Sequence, residues 1–188
     1  MRRVIILGFL LGWATALWAQ PAEVILLRHG EKPENPQALH LAKRGEERAK
    51  ALPEFFARSD KASRHGPPVA LFASRPTRRG HGQRPRETLE PLAKVLRLPI
   101  QTPYESEDYA RLARDIMRNP SCRGKTVVVC WVHEFLPQFA AALGVKPEPP
   151  KWKDEVYDRA YIITFEQGQA NLDIVRQKLL PGDSRRKE

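Results

Sequence analysis

A chain of 188 residues can bury one substantial core, which leaves little room for a second domain. Lysine and arginine outnumber aspartate and glutamate by 32 to 22, a formal net charge of +10 that favours anionic partners and says nothing about fold. Phosphorylated small molecules, nucleic acid and an anionic envelope surface all qualify, so charge alone does not choose among functions.

The opening MRRVIILGFLLGWATALWAQ sets Arg2 and Arg3 before an apolar stretch from Val4 to Leu17 and then small residues, the layout of a secretory signal. A cut after Ala19 or Ala16 fits, giving residues 1–19 as a signal peptide and 20–188 as a single domain that is periplasmic or secreted. The apolar run falls short of the roughly 20 residues that span a bilayer, so no stable membrane span is expected after cleavage. No cysteine follows the run to suggest a lipoprotein. Losing Arg2 and Arg3 takes the basic count from 32 to 30 against 22 acidic residues, so the mature protein keeps a net charge of +8.

Short apolar, β-rich runs follow at Val24 to Leu27, Val69 to Ala73, Thr126 to Trp131 and Tyr161 to Phe165. Their continuous rather than alternating hydrophobicity predicts strands covered on both faces. Helical stripes lie between them: Leu41, Gly45, Arg48, Leu52 and Phe55; then Leu89, Leu92, Ala93 and Leu96; then Tyr109, Leu112, Ala113, Ile116 and Met117 behind a Ser106 cap. A fourth helix is predicted from about Pro137 through Phe139, Ala140 and Leu143 to a stop at Gly144. Pro53 and Pro91 fall inside helical patterns and predict kinks or restarts. KPEPPKW, Lys146 to Trp152, reads as a rigid surface connector, FEQGQANLDIV as a late hairpin closing the sheet, and PGDSRRKE as a frayed, solvated tail. Cys122 and Cys130 are the only cysteines; TVVVCW is extended, which carries Cys130 beyond the ~7 Å Cα limit for a bridge and predicts two separate thiols. Strands alternating with helices predict an α/β protein, a three-layer α/β/α sandwich with a mostly parallel central sheet.

In such sheets ligands gather beyond the carboxyl ends of the strands. Arg28, His29 and Gly30 stand there after the first run, and His133 stands in the same relation to the run ending at Trp131, so two histidines can face one cleft. The arginine fork holds phosphate or carboxylate through paired hydrogen bonds, and its charge lowers an imidazole's pKa, keeping His29 neutral and nucleophilic. A neutral imidazole nitrogen can attack phosphorus while surrounding cations stabilise the transferring oxygens. Taken singly, a histidine after a strand or an arginine beside it is weak evidence, because both are commonplace as satisfied polar residues.

Together they resemble a known signature. LLRHGEKP is similar to the opening motif of the histidine phosphatase superfamily, the phosphoglycerate mutase-like fold. FASRPTRRGHGQRPRETLEPLA resembles its second motif, with a serine after the second strand and an arginine four residues before a threonine: Ser74, Arg84 and Thr88. VVVCWVHEFLPQFAAALG resembles the last, a strand delivering His133 ahead of a helix. The resemblance implies that His29 is the nucleophile forming a phosphohistidine and that Arg28, Arg84 and His133 bind the phosphoryl group. Arg75, Arg78 and Arg79, in the basic insertion, are rivals to Arg84, which is chosen on its spacing to Thr88. Tryptophan in CWVHEF replaces a glycine often seen there, as in exported members with RHGEKP-type openings. Three carboxylates remain open as proton donor, Glu105, Asp108 and Glu134, and some family members act on phosphohistidine without one.

Lys32 can attract anionic substrate, and Glu31 can orient Arg28 or cap the following loop. His40, His65 and His81 lack the company of a zinc site, so no metal is expected, and none is implied by the resemblance; no cofactor is expected either. The expected partner is an anionic phosphorylated substrate. The leading expectation is an exported phosphatase hydrolysing a phosphomonoester or a phosphohistidine, with a non-catalytic phosphate-recognising envelope protein on the same fold as the alternative. Nucleic-acid binding through RPTRRGHGQRPR is disfavoured by export and by the lack of interleaved aromatics.

Overall fold

Six strands and four helices alternate along the chain in a computed structural model that describes residues 20–35, 37–77 and 82–183. The strands are β1 (Glu23–Arg28), β2 (Pro68–Ala73), β3 (Ile100–Gln101), β4 (Thr126–Trp131), β5 (Arg159–Glu166) and β6 (Gln169–Arg176). The helices are α1 (Lys43–Arg58), α2 (Gln83–Leu96), α3 (Tyr109–Arg118) and α4 (Leu136–Ala142). They form one mixed sheet of order β3-β2-β4-β1-β5-β6, parallel from β3 to β1 and closed by the antiparallel pair β5 and β6. The proposed signal peptide, Arg78, Arg79, His81 and the last five residues of the tail lie outside the described residues.

The period-two alternation of a strand divides the core into two layers. Val24 and Leu26 of β1 pack with Leu112, Ala113 and Ile116 of α3 and Phe139 and Ala140 of α4. Ile25 and Leu27 turn the other way, onto Leu52, Phe55 and Phe56 of α1 and Leu89 and Leu92 of α2. The three-layer α/β/α sandwich expected from the sequence is therefore present. Both faces of the sheet are covered, which is why its central strands read as unbroken apolar runs.

Several local expectations are corrected. Of the kinks or restarts expected at Pro53 and Pro91, the restarts are absent: α1 and α2 each run on through their proline as one helix. Each proline costs its helix about 3 kcal/mol, against about 1.5–3 kcal/mol gained for every large apolar side chain buried on the packed faces, so packing wins. Ser106 does not cap α3 with its side chain; it opens a single 3₁₀ turn ahead of the helix, and its carbonyl accepts a hydrogen bond from Trp131 Nε1 at 2.9 Å. The KPEPPKW connector is not a surface element throughout, because Trp152 is fully buried against the α3/α4 layer. The tail does not fray at its start: Asp183 accepts from the backbone N–H groups of Leu179 and Leu180 and pairs with Arg48 and Arg44. Neither Cys122 nor Cys130 is in a disulfide, and both are buried.

What positions the site is the pairing of β1 with β4 at the centre of the sheet. Their parallel register runs from Glu23 opposite Thr126 to Arg28 opposite Trp131, and His29 N–H extends it by donating to Trp131 C=O at 3.2 Å. Beyond β1 the chain turns against the start of α1. A Cβ on Gly30 would lie 2.8 Å from the Gly45 carbonyl oxygen, and one on Gly45 would lie 2.5 Å from that of Glu31. Only glycine at both positions allows this approach.

Candidate active site

Arg28, His29, Arg84 and His133 converge on one cavity of about 300 Å³ at the carboxyl ends of β1 and β4. Lys32, Arg75, Glu105, Glu107 and Glu134 stand around the same cavity, whereas Asp108 is not among its walls. Of the three carboxylates left open as proton donor, Glu105 and Glu134 line this cavity, and Glu107 lines it too.

His29 is 5% exposed, and its Nδ1 lies 2.7 Å from the carbonyl oxygen of Gly30. A carbonyl only accepts, so Nδ1 carries the hydrogen and Nε2 keeps the ring's lone pair. Burial first, then the charges of Arg28, Arg84 and His133, push the imidazole down to about 3 despite the bond to Gly30. The sequence predicted a neutral His29 because of Arg28; burial is the larger cause. At neutral pH the ring is an uncharged base with a free nitrogen, which is what attack on phosphorus requires.

Arg28 is the last residue of β1 itself and is 1% exposed. Its Nη1 donates to three backbone carbonyls, those of Lys153 at 3.2 Å, Asp154 at 2.7 Å and Val156 at 2.9 Å, and its guanidinium carbon lies 3.8 Å from the centre of the Tyr157 ring. Nε and Nη2 are buried and have no hydrogen-bond partner among the described residues. Burying donors on a cation unpaired is costly, so their orientation calls for an anion. Glu31 does not orient Arg28: its carboxylate binds Arg48 and Arg44 instead, at 2.7 Å and 3.2 Å.

Arg84, in the first turn of α2 and at the cavity wall, donates to the carbonyls of Ala38 and of His40, the latter at 3.1 Å, through Nη2 and Nε, and its Nη1 has no hydrogen-bond partner among the described residues. Thr88 ties the first two motifs together, since its hydroxyl accepts from Gly30 N–H at 2.9 Å and donates to Arg84 C=O at 2.7 Å. The spacing that singled out Arg84 is thus a one-turn helical contact. Arg75 also reaches the cavity, donating to Thr102 C=O at 3.2 Å, so it stands beside Arg84 rather than in its place. Ser74 is buried at the end of β2 and is not a cavity wall.

His133 opens a 3₁₀ turn before α4, and its Nε2 lies 2.8 Å from Asp154 Oδ1. Burial, then the charge of Arg28, lower its pKa, and Asp154 acts the other way. Asp154 stays ionised, its pKa lowered chiefly by the hydrogen bond to His133. Sequence reasoning missed Asp154 and Tyr157. The only hint was two aromatics, Trp152 and Tyr157, in an otherwise polar and proline-rich connection.

A mixed six-stranded sheet of this order, covered by helices on both faces, is the phosphoglycerate mutase-like fold. The chain shares that fold with a candidate α-ribazole-5′-phosphate phosphatase from Escherichia coli, at 17% identity and a TM-score of 0.58 over 84% of this chain and 97% of that one. It is similar also to a mycobacterial glucosyl-3-phosphoglycerate phosphatase solved with inorganic phosphate, at 13% identity and a TM-score of 0.55 over 82% and 97% of the two chains. An α-ribazole phosphatase from Shigella flexneri matches at 16% identity and a TM-score of 0.51, covering 82% of this chain and 96% of the other. No family model and no curated protein matches the sequence.

Proposed function

We propose that the protein is a phosphatase that hydrolyses a phosphomonoester, or a phosphohistidine, through a phosphohistidine intermediate on His29. The observation that carries this reading is one pairing: a buried, neutral His29 with Nε2 unprotonated, beside an Arg28 whose Nε and Nη2 have no partner among the described residues. The fold-mates described as phosphatases support it.

In the first step His29 Nε2 attacks phosphorus and the bond to the leaving oxygen breaks. That oxygen takes a proton from one of the cavity carboxyls, Glu105, Glu107 or Glu134, an assistance worth about 10²–10⁴ in rate. Arg28, Arg84 and His133 meet the charge on the three transferring oxygens, as preorganised donors do in phosphoryl transfer. In the second step water attacks the phosphohistidine, the same carboxylate takes its proton, inorganic phosphate departs and His29 returns to its neutral form. A phosphohistidine substrate has a better leaving group and needs the carboxyl less. Lys32 and Arg75 at the same cavity suit an anionic substrate, and the leader-like residues 1–19 extend the reading to a protein acting in the periplasm or outside the cell.

The test is phosphate release from an aryl phosphomonoester by the purified protein in the presence of a chelator, alongside His29→Ala. Release lost only in the variant is the expected result. Phosphate binding without release, in a folded wild type, would favour a binding protein on the same fold.

A further inference from the structure

Asp154 belongs to neither the nucleophile's surroundings nor the walls of the cavity, yet it is held with care. The segment from Trp152 to Tyr157 forms a strap against Arg28 and His133. Trp152 anchors it from a fully buried position, with Nε1 donating to Val156 C=O at 2.8 Å. Arg28 anchors it again through the carbonyls of Lys153, Asp154 and Val156, and Tyr157 lies against the same guanidinium. The side chain of Asp154 is 73% exposed, but its backbone is fixed from below, and its carboxylate meets a His133 ring that is 8% exposed.

We infer that Asp154 is a positioning residue for phosphoryl binding: by accepting the Nε2 hydrogen of His133 it allows that ring to grip a phosphoryl oxygen only when both ring nitrogens are protonated. The inference deepens the phosphatase reading and rests on it. An ionised carboxylate only accepts, so the hydrogen of a neutral His133 sits on Nε2 and Nδ1 is left with a lone pair. With Nε2 committed to Asp154, Nδ1 is the ring nitrogen left to meet a phosphoryl oxygen, and a lone pair there would repel it. The imidazolium, in contrast, donates to Asp154 from one side and to the phosphoryl group from the other.

The charges facing His133 set when it protonates. Arg28 of β1, with Arg84 of α2 and with Arg75 and Lys32 around the same cavity, opposes the imidazolium. Asp154 of the strap and Glu134 of its own turn favour it, and Glu105 and Glu107, from the segment before α3, add negative charge on the cavity wall. His29, neutral, adds no charge. An arriving phosphate dianion tips this balance toward the imidazolium, so binding takes up a proton wherever His133 was neutral beforehand.

The experiment is calorimetric titration of the whole protein with inorganic phosphate, in buffers of different ionisation enthalpy, from acid to alkaline pH. Wild type, Asp154→Asn and Asp154→Glu are compared, with aryl phosphomonoester turnover measured on the same samples. The wild type is expected to take up a proton on binding, and its affinity to fall about tenfold per pH unit above the His133 transition. In Asp154→Asn the break moves to lower pH and affinity near neutrality falls about tenfold, one pKa unit's worth, while Asp154→Glu restores both. Tighter phosphate binding by Asp154→Asn at every pH would make Asp154 a mere competitor for His133 and overturn the inference. Uniform weakening with the break unmoved would overturn it as well, leaving only structural support. Failure of the phosphatase reading looks different: phosphate binds, with or without the shifted break, and no His29-dependent turnover is seen.

Discussion

Arg28 and Arg48 are both almost fully buried, at 1% and 3% exposure, and each lies a few residues from the contact between Gly30 and Gly45. Their surroundings are opposite. Arg48 meets two carboxylates, Glu31 at 2.7 Å and Asp183 at 2.7 Å and 2.9 Å, and although burial alone would lower its pKa, these bonds carry it above the ordinary value. Arg28 is given backbone carbonyls on one nitrogen and nothing among the described residues on the other two, and burial holds its pKa below the ordinary value. Burial alone therefore does not separate a structural cation from a functional one. Completeness of pairing does: a closed set of partners stabilises the fold, and an open one waits for a ligand.

The sharpest way to break this comparison is to exchange the forks. Arg28→Lys keeps a charge but loses the planar donors, and kcat/KM for a phosphomonoester is expected to fall about 10³-fold with stability within about 1 kcal/mol of wild type. Survival of activity in that variant would remove Arg28 from the phosphoryl site. Arg48→Met should do the converse, leaving Glu31 and Asp183 with only the exposed Arg44 as cationic partner and lowering stability by about 3–5 kcal/mol in urea unfolding, while the folded fraction turns over at near wild-type rate.

Glu23 adds a third buried charge. Neither of its carboxylate oxygens has a partner among the described residues, and burial, opposed by Arg64, raises its pKa from 4.5 to about 7. A carboxyl with its folded pKa raised contributes most below about pH 4.5 and becomes a liability as pH rises through about 7, since the folded state must then ionise it. Glu23→Gln is therefore expected to match wild type in acid and to exceed it by about 2 kcal/mol in mildly alkaline buffer, as read by paired denaturant titrations. His29 carries the opposite sign: with its pKa depressed from 6.5 to about 3, its contribution is complete above 6.5 and is lost as pH falls toward 3. His29→Ala should accordingly flatten the acid limb of the wild-type stability curve. The smallest expected effect is that of Trp152→Phe, which removes one hydrogen bond under the strap and should cost about 1 kcal/mol of thermal stability.

The sequence made much of this legible because the central strands are buried on both faces and stand out as unbroken apolar runs; Thr126–Trp131 matches β4 residue for residue. His29 and His133 were legible as residues that follow such runs, and Arg84 through its one-turn contact with Thr88. What stayed hidden depends on distance in space alone. β3 is only Ile100–Gln101, too short to show a period. Glu31 finds its arginines 13 and 17 positions further along the chain, and Asp154 finds His133 from 21 positions away, across α4 and the irregular proline-rich stretch that follows it. Asp183 reads as part of a polar tail until Arg48 is seen to reach it.

The register of β1 on β4 has one more consequence, for how such a site can change over time. His29 follows directly on β1 and His133 stands one residue past β4, so their separation is set mainly by the backbone ladder that locks these two strands and less by adjustable side-chain packing. A ladder does not yield by fractions: slipping it by one residue turns every side chain to the opposite face. Mutational drift in the surrounding loops can therefore reshape the cavity, while the spacing of the two imidazoles is inherited whole or lost whole.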